Sequence, residues 1–248
     1  MRQIIAVVLG AILVGAPVSN VIAQGGWLDK GGDFLRGLGG GSKSSGVLSN
    51  ADIASGLVDA LKVGTERVVS TLGKADGFNK SRDVHIPLPG TLAKVKSVLG
   101  PLGMGSMADD LELRLNRAAE AATPRAKRLF WDAITQMTLD DVQKIYNGPK
   151  DAATQYFRGK MSSSLAKDMQ PIVSDELGRV GAIQTYDRMM GQYRALPFVP
   201  DVRANLTEYV LEKAIDAIFL YLGREEAAIR DNPAKRTTAI LQKVFGAR

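Results

Sequence analysis

Residues 49–72, SNADIASGLVDALKVGTERVVSTL, decide the class of this fold. Ile53, Leu57, Leu61, Val68 and Leu72 recur at four- and seven-residue intervals, the period of one buried helix face. Ser49 or Asn50 can accept a backbone hydrogen bond and cap the start, so a helix is predicted over 51–72. Gly56, Ala60 and Gly64 fall at i, i+4 and i+8 on that helix. Each glycine costs about 1 kcal/mol of helix propensity relative to alanine. Such a strip is expected to let another backbone approach closely.

Toward the N-terminus the helical pattern stops. Residues 37–46, GLGGGSKSSG, form a Gly/Ser linker, and residues 27–38 are only partly amphipathic. Residues 1–23 read as a leader: Arg2 is positive, residues 4–16 are uncharged and apolar, and Pro17 interrupts them. Val21-Ile22-Ala23 before Gln24 fits a signal-peptidase site, so cleavage after Ala23 and a periplasmic location are expected. The apolar run is too short to cross a ~30 Å hydrocarbon layer. An uncleaved membrane anchor is the alternative, because no acidic or further basic residue appears before Asp29. With no Cys in the chain, a lipid-modified N-terminus is excluded.

Toward the C-terminus helices continue almost without interruption. Asp76-Gly77-Phe78 reads as a turn and residues 84–89, VHIPLP, as extended chain. Helices are then expected over 91–99, from Met107 after Ser106 to about 122, and from Pro124 to about 137 after a Thr123 cap. Thr138 with Asp141 resembles a capping box and opens a helix ending near Asn147-Gly148. Others are expected from Pro149, over 163–180 with a kink or break at Pro171, and over 182–195. Asp201 is the expected cap for 202–222, and Asn232-Pro233 for a last helix ending at Phe245-Gly246. The expectation is an all-α, compact bundle of nine or ten helices. Its domains are a signal peptide at 1–23, a flexible linker at 24–48 and a single helical domain at 49–248.

Composition narrows the chemistry. Removing the leader leaves 248 − 23 = 225 residues, ample for a core without crosslinks. Zero Cys excludes thiol catalysis, disulfides and Cys-ligated metals, and the lone His85 argues against His-based metal or acid–base sites. No metal and no cofactor is expected. The formal charge of +6 falls to +5 with Arg2 gone, but basic and acidic residues are interleaved. With export expected as well, no nucleic-acid partner and no transmembrane helix in the mature chain are foreseen.

Two motif matches dissolve on inspection. Ser164-Leu165-Ala166-Lys167 has the S-x-x-K spacing, but the companion S-D-N and K-T-G signatures are missing. Ser163 or Ser164 is instead expected to cap a helix. Residues 103–108, GMGSMA, fit G-x-G-x-x-A, yet no strand precedes them, and Asp109, Asp110 and Glu112 would repel a pyrophosphate. The remaining candidate is a polar set: Arg114, Asn116, Arg117 and Glu120, with Asp140 and Asp141. Asn116 and Glu120 share a helix face at i and i+4, and Arg117 reaches Glu120 at i+3. Such a cluster can receive an anionic ligand on Arg117, or simply pair internally; no catalytic residue is assigned.

Read in order, these segments resemble the bacterial family designated domain of unknown function 4197. The matching pieces are residues 56–57 and 60–64, 76–78, 86–89, 116–120 and 137–141. Residues 151–154, 156–157, 225–226, 229–230, 232–233 and 244–246 complete them. Val142 departs from the Ala expected after Asp141. The resemblance spans roughly 49–246 and implies an exported helical protein, with no activity or catalytic residue to carry over.

Three functions remain open. The first is a non-enzymatic exported protein that binds an envelope protein or small ligand. The second is a carrier of a small apolar or lipid-like ligand. It needs a closed cavity of ~300–1,000 Å³ among residues such as Phe130, Ile134, Phe157, Ile218 and Phe219. The third is a hydrolase-type enzyme built on Arg117, Glu120 and Asp141, which requires those groups to converge.

Overall fold

A computed structural model describes residues 48–199 and 204–246. The leader, the linker up to residue 47 and the Asp201 cap lie outside the described residues. Among the described residues there are eight α-helices and no strand. They are α1 (Asn50–Leu72), α2 (Gly90–Leu99), α3 (Gly105–Thr135), α4 (Leu139–Asn147), α5 (Ala152–Arg179), α6 (Ala182–Arg194), α7 (Leu206–Asp231) and α8 (Ala239–Gly246). The long helices α1, α3, α5 and α7 form the core, each packed on two others in a ring, and α3 also touches α7 across it. The four short helices close its ends and flanks.

The class is as expected; the number of helices is smaller. Two expected boundaries vanish: one at Pro124, and one between the helix expected from Pro149 and that expected over 163–180, which are the single α5. The helices foreseen on either side of Pro124 are the single α3, because one buried stripe continues through it: Leu111, Leu115, Ala118, Ala122, Ala126, Phe130 and Ile134. Proline removes one N–H and in isolation costs ~3 kcal/mol. Here the neighbouring Thr123 hydroxyl donates to the Ala119 carbonyl at 2.7 Å. The proline ring fits against Gly73, where a Cβ would lie 2.9 Å from Pro124 Cγ. In α5 the stripe Ala153, Phe157, Met161, Leu165, Met169, Val173 and Leu177 passes Pro171 in the same way. Pro171 and Lys167 are both exposed, so the carbonyl freed by the proline faces water.

Other boundaries follow their caps. Ser49 forms a full capping box with Asp52, and Thr138 with Asp141. Asn205, rather than Asp201, caps α7 by accepting from the Glu208 N–H at 3.1 Å. α7 also runs past the expected end at 222, since Gly223 meets Thr154 of α5 at a close crossing. Ser163 and Ser164 lie inside α5 and cap nothing, and α3 opens at Gly105 without a side-chain cap.

The small-residue strip on α1 does what its spacing implied. Gly56 faces Val244 of α8, and Gly64 faces Glu225 of α7. A Cβ on Gly56 would sit 2.6 Å from Val244 Cγ2, whereas one on Gly64 meets only Glu225 Cβ at 3.9 Å. Gly56→Ala is therefore expected to lower the thermal midpoint. Overpacking of about 1–3 kcal/mol outweighs the ~1 kcal/mol of helix propensity gained. Gly64→Ala, with room for its methyl, is expected to be neutral or stabilising. Thermal unfolding of the pair checks the contrast.

Candidate functional site

The first half of α3 carries Glu112, Asn116 and Glu120 at i, i+4 and i+8, hence on one face. Opposite that face runs the segment 73–89, whose turns and extended chain leave backbone groups that no helix can satisfy. The three side chains supply the partners. One oxygen of Glu120, a residue only 3% exposed, accepts from the Phe78 and Asn79 N–H groups, both at 3.0 Å. Asn116, fully buried, accepts from the Ile86 N–H at 2.9 Å and donates to the Ile86 carbonyl at 2.8 Å. Glu112 accepts from the Leu88 N–H at 3.3 Å and meets His85 Nε2 at 2.9 Å. The other imidazole nitrogen is engaged by the Asn79 carbonyl at 2.8 Å. Beneath this clasp Phe78, Ile86 and Leu88 are buried.

Arg117 extends the network outward. It donates to the second Glu120 oxygen at 2.7 Å and to Asp76 at 2.8 Å. Asp76 adopts φ 66°, a left-handed conformation unusual for a side-chain-bearing residue. Lys80 at 2.8 Å and Asn79 at 3.0 Å hold it there together with Arg117. These partners, Lys80 and Asn79 foremost and then Arg117, hold the Asp76 carboxyl well below its ordinary 3.8. The Arg117 guanidinium is raised, chiefly by Glu120.

The rest of the polar set is elsewhere. Arg114 donates to Asp110 at 2.9 Å and to the Val180 carbonyl just past α5, while Asp110 accepts from Thr185 of α6 at 3.2 Å. It thus ties α3 to the α5–α6 joint. Asp140 is exposed in the first turn of α4. Asp141 closes the capping box, bonded to the Thr138 N–H at 3.0 Å and hydroxyl at 2.7 Å. Burial alone would raise Asp141, but Thr138 and Tyr156 outweigh it and keep the carboxyl lowered. Tyr156 is pushed up to about 12 by burial and by Asp141. The structure therefore brings Asn116, Arg117 and Glu120 together, adds Glu112 and His85, and gives Asp140 and Asp141 a different place.

A second polar joint had no counterpart among the candidates. Glu226 and Arg230 of α7 are almost wholly buried, with a 2.9 Å ion pair between them. Glu226 accepts from the Ala153 and Thr154 N–H groups, each at 2.9 Å, at the start of α5. Arg230 donates to the Ile145 carbonyl at 2.9 Å, at the end of α4. The acid thus sits at a helix N-terminus and the base at a C-terminus, the arrangement helix dipoles favour.

The space bordered by Glu226 and Arg230 is too small for a small-molecule ligand. The apolar space lined by Leu57, Leu61, Phe130, Ile134, Phe157 and Phe245 measures about 20 Å³, room for about one water. Of the S-x-x-K pair, Ser164 opens onto a groove of about 430 Å³ between α3 and α5, and Lys167 onto another between α5 and α7. Among the described residues no group of three His, Asp or Glu is placed for a metal ion, and no helix is long and apolar enough to cross a membrane.

The carboxylates give the fold an acid limit. Asp52, Asp76, Asp83, Asp110 and Asp141 are all held below the ordinary value. Each contributes stability above the unfolded value, 3.8, that is lost as pH falls toward the depressed folded value. Thermal midpoints are expected to hold near neutrality and to fall progressively below about pH 4. A flat profile down to pH 2 would contradict this assignment.

No curated protein and no solved structure matches the chain. The family model described as protein of unknown function (DUF4197) matches residues 47–246, which runs from just before the Ser49 cap to the last residue of α8. The chain belongs to that family, DUF4197.

Proposed function

We propose that this is an exported helical protein that acts in the periplasm, after loss of residues 1–23, as a non-enzymatic binding protein for a cell-envelope partner or ligand. One observation carries the reading. The polar side chains best suited to chemistry (Glu112, Asn116, Glu120, Glu226 and Arg230) are bonded to the chain's own backbone. Groups so engaged hold segments together and are not presented to a substrate, which leaves the outer surface as the means of action. The leader and the Gly/Ser stretch at 37–46 support a tethered or secreted domain. A cavity of about 20 Å³ gives an apolar cargo no room unless the helices part.

The test is native mass spectrometry of the protein released gently from the periplasm, with the denatured mass taken from the same sample. A chain beginning at Gln24, present in that fraction and free of small molecules, is the expected result. A full-length chain, or one confined to the cytoplasm, would overturn export. A retained lipid or other small molecule would replace this reading with the carrier.

A further inference from the structure

One end of the molecule projects apolar side chains into solvent. Leu102, in the turn joining α2 to α3, is 52% exposed, Val98 in the last turn of α2 is 38% exposed, and Pro101 between them is exposed as well. A side chain added at Gly100 or Gly103 would meet nothing within 4 Å, so this turn stands clear of the body. Phe198, after α6, is fully exposed at 104% and sits at φ 62°, a conformation that phenylalanine rarely adopts.

The two segments share an end. Asp110 pairs with Thr185 and Arg114 with the Val180 carbonyl, so α6 runs antiparallel to α3. Following that register, the end of α6 passes the start of α3, so residues 195–199 and the 98–104 segment lie at the same end of the fold. α2 also packs against α6. The end is the one remote from residue 48. α3 is antiparallel to α1, with Lys127 on Glu66 and Pro124 on Gly73, and its first half extends beyond the C-terminus of α1.

Cations stand behind the apolar apex. Lys94 is exposed one helical turn, ~6 Å, before Val98. Arg194 is exposed at the end of α6, four residues before Phe198. Lys96 is also there, paired with Asp109. An apolar apex with cations set one turn back matches the depth profile of a lipid interface, where side chains enter ~5–10 Å and phosphates lie above them.

We propose that this end, formed by Val98, Pro101, Leu102 and Phe198 with Lys94 and Arg194, docks on an anionic phospholipid surface. The proposal deepens the envelope-binding reading by naming its partner. Vesicle binding does not require export, so the two can fail separately.

The experiment is flotation of the isolated protein with vesicles of equal phosphatidylglycerol and phosphatidylcholine, and with phosphatidylcholine alone. The mass of the same sample is recorded, so that any retained leader is common to all proteins compared. Wild type is expected to float with the anionic vesicles and to be released by salt. The exposed double variant Leu102→Ser/Phe198→Ser is expected to bind at least ~10-fold more weakly, with an unchanged circular dichroism spectrum. Lys94→Glu/Arg194→Glu is expected to lose ~10-fold or more on anionic vesicles only. Wild type that stays free of vesicles, or variants that bind as well as wild type, would overturn the proposal. Self-association of wild type that Leu102→Ser/Phe198→Ser abolishes, without vesicle binding, would also overturn it and point to a protein contact.

Discussion

Arg230→Leu is expected to destabilise the protein by about 3–5 kcal/mol, the range seen when one partner of a buried ion pair is removed. The substitution leaves Glu226 buried without its guanidinium and the Ile145 carbonyl without its donor. The loss cannot be relieved by turning Glu226 to water, because both its oxygens hold the first N–H groups of α5. Two joints therefore loosen together, the end of α4 and the start of α5. Denaturant unfolding measures the loss, and the double variant Glu226→Gln/Arg230→Leu separates its parts. That variant removes both charges and keeps one acceptor, so it is expected to lose less than the sum of the single changes. Additive losses would mean that the pair acts as two independent caps.

Glu120→Ala is expected to cost a similar ~3–5 kcal/mol, but to be read in a different place. It removes the acceptor of the Phe78 and Asn79 N–H groups and leaves Arg117 with Asp76 alone. Hydrogen exchange is expected to rise at Phe78 and Asn79 and along the segment to Ile86, while the amides of α5 and α7 remain protected. Glu120→Gln is the informative companion. Both backbone N–H groups point at the same Glu120 oxygen, so a glutamine carbonyl can keep both while its NH₂ group faces Arg117. An intermediate loss is expected. Full retention of stability in Glu120→Ala would mean that the clasp contributes nothing to holding residues 73–89.

The helices were legible because their apolar stripes are regular, and the miscount has two causes. Pro124 and the Ser163–Ser164 cap read as boundaries, although the stripes through Ala118, Ala122, Ala126 and Phe130 and through Phe157, Met161 and Leu165 keep phase there. A stripe that keeps phase across a proline is evidence of one helix, since two separate helices have no reason to share a phase. Asn116, Arg117 and Glu120 were legible as a set from their spacing. What Asn116 and Glu120 bind was not, because their partners are backbone groups 30 to 42 residues earlier, and backbone carries no sequence signal. Asp141 was legible twice, as a capping residue and as a member of the polar set, and the geometry places it in the first role. Glu226 and Arg230 escaped for the opposite reason. They lie past 222, the expected end of that helix, although Glu and Arg at i and i+4 bracketing buried Ile229 are themselves a helical signal.

The ring of helices is sealed by its two ends. Lys243 of α8 reaches Asp52 in the first turn of α1 at 2.8 Å across 191 positions of chain, and Val244 seats on Gly56. The Gly56 end of the small-residue strip is therefore covered only when α8 closes onto α1. Loop closure over such a span is slow compared with helix formation. With α8 detached, Gly56 lies uncovered and Asp52 lacks Lys243. Docking of α8 is thus the closure that joins the first and last helices of the described fold.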